Sequence, residues 1–258
     1  MNLPDISHLA DALADRRFAL AAAVAALAGL VRGFSGFGSA LIYIPLMAAL
    51  YSPRIAAVTI VLIDFAGAAP LSLREFPKCD WRDVLPMAMA TAGAIPFGAM
   101  ALVLVDPVAL RWFVAFLILI LLVPLALGWR YHGEPKLPLT IGVGLFAGFG
   151  AGSVQIAAPP LVLYWLGATR HVATVRANFM VFLLLTDILG VLVYGWKGLL
   201  TPDGIALAVL LAAPFFIAMA CGAYCFHGTS DTLYRRIAYA IIGCAAFFSL
   251  PLFDGILR

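Results

Sequence analysis

Gly33-Phe34-Ser35-Gly36-Phe37-Gly38-Ser39 and Gly148-Phe149-Gly150-Ala151-Gly152-Ser153 are two copies of one apolar motif, followed by Pro45 and Pro159 respectively. Each copy sits inside a long hydrophobic block. Glycine and proline weaken a helix there and free backbone groups from their partners. In lipid, freed groups persist only where protein or a watery cavity satisfies them. Matching weak points in the two halves of a membrane protein are a sequence pointer to a transport site.

The surroundings fit that reading. Of 258 residues, 64% are hydrophobic and 11% charged, against roughly 25% charged in a soluble domain. Apolar blocks fill residues 18–50, 55–73, 83–105, 109–128, 139–166, 172–195, 204–226 and 233–252. Most are long enough to cross a hydrocarbon core, which takes ~20 helical residues. The short connections leave no room for a soluble catalytic domain. The fold class is an all-α integral membrane protein.

Residues 1–17 carry Asp5, Asp11, Asp15, Arg16 and Arg17 and form a polar, amphipathic lead, with Leu9, Leu13 and Phe18 on one face. The apolar run that follows has no clear exit, which argues against a cleavable signal. The net charge of +3 is small and scattered, which excludes a nucleic-acid partner. The expected partners are a small anion and the lipid bilayer, with a homodimer left open.

The order of matching anchors divides the chain. Gly29-Leu30 pairs with Gly144-Leu145, Gly33-Phe34 with Gly148-Phe149, Pro45 with Pro159, Asp64 with Asp187 and Gly98 with Gly222. The plan is a first repeat at 18–128, a hinge at 129–138, a second repeat at 139–252 and a tail at 253–258. If the two glycine blocks fold back as discontinuous helices, each half has five membrane segments and the second is inverted relative to the first. If they span once, there are eight crossings and the halves are parallel. Positive-inside counting gives the same split for both. The inverted arrangement is preferred by analogy with transporters built on paired broken helices.

The motifs GLVRGFSGFGSALIYIP, from Gly29, and GLFAGFGAGSVQIAAPP, from Gly144, resemble the duplicated signature of the TauE/SafE-type sulfite exporters. The segment VRANFMVFLLLTD, Val175 to Asp187, resembles the span that follows the second signature. The likeness runs from about residue 18 to 252. It implies secondary export of a small anion, with sulfite and organosulfonates as the substrate types, in a bacterial cytoplasmic membrane. The second signature departs from the usual compact glycine run, reading Gly150-Ala151-Gly152-Ser153-Val154-Gln155, which leaves the particular anion open.

An anion entering the membrane loses water, and something must replace those hydrogen bonds. Glycine-rich turns can aim backbone N–H groups at one point, and a helix beginning there adds about half a positive charge. The substrate cradle is therefore expected at Ser35, Gly36, Gly38, Ser39, Gly150, Gly152, Ser153 and Gln155. The bland alternative is that the glycines only let helices pack closely. Arg32 is costly in a bilayer unless it faces a cavity, a carboxylate or substrate. Asn178 lies deep in its span and joins the list, whereas Arg176 two residues earlier is equally suited to anchoring at headgroups. Asp64 and Asp187 are candidates for proton coupling or for structural pairing.

Other chemistry is thinly supported. Cys221 and Cys225 share a helix face, but four zinc ligands do not assemble with Cys79, Cys244 or the histidines, so no metal is expected. No organic cofactor is suggested. Two intramembrane aspartates admit an aspartyl enzyme, yet neither stands in a Gly-x-Gly-Asp context, so a carrier or channel for another solute is the stronger competitor. The five tryptophans mostly flank the blocks, as an aromatic belt would.

Overall fold

The computed structural model describes residues 4–35, 38–127, 136–165 and 172–225. These residues are helical, without strands. The order is α1 (Ile6–Ala14), α2 (Phe18–Ser35), α3 (Ser39–Leu50), α4 (Pro53–Glu75), a 3-10 turn (Phe76–Lys78), α5 (Trp81–Leu104), α6 (Pro107–Ala126), α7 (Leu137–Val154), α8 (Ala158–Trp165), α9 (Val172–Trp196) and α10 (Pro202–Cys225). The block at 233–252, most of the hinge and the tail lie outside the described residues.

Several helices start on one local device. Ser52, Asp106 and Thr201 each precede a proline and accept a backbone N–H from the first turn: Ile55 to Ser52 at 3.2 Å, Val108 to Asp106 at 2.9 Å, Gly204 to Thr201 at 3.2 Å. The side chain satisfies an orphan donor, and the proline ring presets φ where no N–H is needed. Asp80 caps α5 in the same manner through the N–H of Arg82.

Among the described residues, four helices are long and apolar enough to cross a membrane: Trp81–Leu104, Leu137–Val154, Thr174–Trp196 and Pro202–Tyr224. A fifth candidate is the pair Pro53–Gly67 and Ser72–Lys78, bent by 56° around Pro70, which cannot donate to the helix ladder. Phe18–Gly33, Ser39–Leu50 and Pro107–Ile120 are shorter apolar helices.

α2 lies along α10, and α7 along α5, while α4 crosses α9. The first two pairs are backbone-to-backbone contacts. A Cβ at Gly29 would stand 2.2 Å from the carbonyl oxygen of Phe215, and one at Gly33 only 1.8 Å from that of Met219. On the other pair, Gly144, Gly148 and Gly152 would meet the carbonyl oxygens of Met87, Thr91 and Ile95 at 2.6, 2.5 and 2.1 Å. Glycines four residues apart share a helix face, so each row is a groove that admits the partner's backbone, the way helices associate in lipid. Thr91 adds a 2.8 Å hydrogen bond to the Gly144 carbonyl.

Side chains close the rest into two cores. One joins Ala25 and Ala28 of α2, Ile42 and Met47 of α3, Ile60 of α4 and Phe215 of α10; the other joins Met87 and Ile95 of α5, Ala151 of α7 and Phe182 of α9. Trp165 belongs to the second core. It is fully buried and stacks edge-on against Phe179 and Phe182, so the belt expected of the tryptophans does not include it.

Candidate functional site

Two interruptions of the helical ladder line one cavity. The first lies between α2 and α3, where Gly38 adopts φ 91°, a left-handed conformation open to glycine at little cost. The second lies between α7 and α8. There Gln155 adopts φ 56°, the sole non-glycine at positive φ among the described residues. Its N–H returns to the Ala151 carbonyl at 3.0 Å, and that of Ile156 to the Gly150 carbonyl at 3.1 Å. A Cβ at Gly150 would sit 2.4 Å from the Ile156 oxygen, so the tight return needs a glycine there.

Between the interruptions is a cavity of about 30 Å³, room for one or two waters. Its polar wall brings together Arg32, Gly38, Ser39, Asp64, Gln155 and Asp187, with Thr186 beside them. Arg32 Nε stands 3.9 Å from Asp64 Oδ1. Ser39 donates its hydroxyl to Asp64 Oδ2 at 3.1 Å. Asp187 is 7% exposed, and its Oδ2 has no hydrogen-bond partner; nor has the buried Nε2 of Gln155. Gln155 lies against Gly190 of α9, where a Cβ would come within 3.2 Å of Nε2. Charge, amide and hydroxyl from both halves thus converge on one small volume.

The remaining expected residues go elsewhere. Ser153 turns its hydroxyl back to the Phe149 carbonyl at 2.8 Å, the usual escape of a mid-helix serine. Gly152 packs on α5. Asn178 accepts the N–H of Asp80 at 2.7 Å, holding the loop before α5. Nine residues separate Asn178 from Asp187, which at ~100° per residue puts them on opposite sides of α9. Arg176 is exposed near the start of that helix. Ser35 ends α2, Gly36 lies outside the described residues, and nothing is described of the Ser35 side chain.

Thr186 was missed by the sequence reading. Its hydroxyl donates to the Phe182 carbonyl at 2.9 Å, and adjacency to Asp187 was the available signal.

Outside the cavity, Arg17 beside Asp15 holds that carboxyl below its ordinary range, and burial pushes the Cys79 thiol up to about 11. Among the described residues no group of three or more His, Cys, Asp or Glu side chains gathers as a metal site would require.

Interrupted apolar helices around a mixed-charge cavity are an arrangement that membrane transporters use. The chain belongs to the sulfite exporter TauE/SafE family, whose model matches residues 21–249. That family is a transporter family, and the chain is an integral membrane protein. No curated protein and no solved structure matches the chain.

Proposed function

We propose that this protein exports a small oxidised-sulfur anion, sulfite or an organosulfonate, across a bacterial cytoplasmic membrane by alternating access. The observation that carries the reading is the cavity shared by the two interruptions. Arg32 supplies the positive charge, the Gln155 amide and the Ser39 hydroxyl supply donors, and Asp64 and Asp187 are carboxylates able to carry a proton. The cradle is then narrower than the full set of glycine-motif residues. It keeps Arg32, Gly38, Ser39 and Gln155, while Gly150, Gly152 and Ser153 shape the second break and Asn178 holds the loop before α5.

The two-repeat plan has support of its own. Under the pairing of Gly29 with Gly144 and Gly98 with Gly222, α2 corresponds to α7 and α5 to α10. The pairs α2–α10 and α7–α5 are then one contact seen twice. In such a plan α2 with α3, and α7 with α8, are the broken segments. A volume of about 30 Å³ is smaller than a multi-atom oxyanion, so binding would widen the cavity.

Thermal shift of the purified protein in detergent tests this, with sulfite, sulfate, thiosulfate, sulfoacetate, taurine and chloride compared. A ligand at 100 times its Kd stabilises by roughly 2.7 kcal/mol. A melting rise with one sulfur anion, absent in Arg32→Gln and Gln155→Ala, is the expected result. No rise with any of them in a well-folded sample refutes the anion reading.

A further inference from the structure

We propose that Asp64 occupies Arg32 in place of the transported anion, so that the anion binds as Asp64 takes up one proton. The proposal rests on the anion-export reading and adds its stoichiometry.

Charge has to balance within so small a cavity. Among the described residues the cavity wall has one cation, Arg32, and two carboxylates, Asp64 and Asp187. Its other polar groups are neutral. An uncompensated charge away from water is strongly unfavourable, so the empty site is neutral when Arg32 faces one carboxylate and the other holds a proton. The geometry tells the two apart. Asp64 is the carboxylate placed on Arg32, at 3.9 Å, and it also receives the Ser39 hydroxyl. Asp187 is buried with an oxygen that lacks any donor, as fits the protonated member.

Among the described residues facing Asp64, Arg32 is the one cation. α2 presents Arg32, α3 presents Ser39 and the buried Tyr43 held on Thr59, α9 presents Asp187, and the second break presents Gln155. Where α10 meets α4, it offers Phe216 against Gly67.

A singly charged anion that takes Arg32 adds one negative charge. The site returns to neutrality when Asp64, released from the guanidinium, gains one proton and stays on the Ser39 hydroxyl. When the anion leaves, Asp64 gives the proton up and recaptures Arg32. Anion and proton therefore travel together, the cycle moves no net charge, and export follows the combined concentration gradients of anion and proton and not the membrane potential.

The test is calorimetric titration of the purified protein with sulfite and with isethionate, a sulfonate that does not itself titrate near neutrality. It is run across pH and in two buffers of different protonation enthalpy. Sulfite counts are corrected for its own titration. The expected result is uptake of one proton per bound anion, with affinity weakening up to tenfold per pH unit above the range where Asp64 already holds its proton. Asp64→Asn should bind with no such slope, and Asp187→Asn should keep it. Proton uptake by the unaltered protein stands as a readout even if Asp64→Asn does not fold. Binding with no proton uptake, a slope that survives in Asp64→Asn, or a sodium requirement in place of the proton overturns the proposal and leaves anion export standing. No binding of either anion at any pH overturns the export reading and this proposal with it.

Discussion

The two interruptions solve the same problem with different chemistry. The first uses glycine at its left-handed residue, Gly38, and places its polar groups on the flanking helices: Arg32 at the end of α2, Ser39 at the start of α3. The second puts a side chain on the left-handed residue itself. Gln155 accepts φ 56°, a conformation that glycine takes at less cost, and places its side-chain amide on the cavity wall. The first break therefore contributes charge from stable helical positions, and the second contributes a neutral donor from a strained one. In the export reading, the first break would neutralise the anion and the second would hydrogen-bond its oxygen atoms.

The sharpest way to break this comparison is Arg32→Ala. Removing one partner of a buried ion pair costs about 3–5 kcal/mol, so the melting temperature should fall clearly and anion-dependent stabilisation should vanish. Retained anion binding would take the charge role away from the first break.

Next in size is the packing that carries the second break. Gly152→Ala forces a Cβ to 2.1 Å from the Ile95 carbonyl and should destabilise by about 1–3 kcal/mol. Gly142→Ala, on the same helix but with nothing within 4 Å, should be stabilising by up to ~1 kcal/mol. Equal melting temperatures for the two variants would contradict the backbone contact between α5 and α7.

Gln155→Gly separates strain from function. It relieves the left-handed backbone, so stability should hold or rise by about 1 kcal/mol, while anion affinity drops about tenfold, the size expected of one hydrogen bond to a charged group. Loss of stability without loss of affinity would reverse the assignment.

The smallest effect belongs to Ser153→Ala. Its hydroxyl is already spent within α7 on the Phe149 carbonyl, so anion affinity should stay within about twofold and stability within ~0.5 kcal/mol. A large loss of binding would mean that the serine reorients toward substrate.

Much of the site was legible before any coordinates. Arg32, Asp64 and Asp187 stood out because an ionisable side chain in a hydrocarbon-length block needs a reason to be there, and all three line one cavity. Gly38, Ser39 and Gln155 stood out through the repeated motif. Ser153 and Asn178 show where this reasoning stops. Polar residues in a span must find partners, but composition does not say whether the partner is a ligand, the residue's own helix or a loop. For Asn178 the answer depends on rotational phase along α9 and on Asp80 arriving from another part of the chain. The glycines carried two meanings in one motif. Gly33, Gly148 and Gly152 serve close helix approach, whereas Gly38 serves the break. The helix starts at Ser52-Pro53, Asp106-Pro107 and Thr201-Pro202 were readable cap signals, and they mark the helix starts more closely than the hydrophobic blocks do.

The sequence alone determined that this chain lives in a membrane, is helical, belongs to the TauE/SafE pattern, has two glycine-rich weak points and carries rare intramembrane charges at Arg32, Asp64 and Asp187. Those conclusions follow from solvation: burying or exposing a group to lipid has a cost set largely by its own chemistry. Only the tertiary structure decided that α2 zips onto α10 and α7 onto α5, that Arg32 meets Asp64, and that Trp165 sits in the core. Those facts depend on which distant segments come within a few ångströms of each other. Dispersion, close packing and directional hydrogen bonds act only at that range, and separation along the chain does not record it.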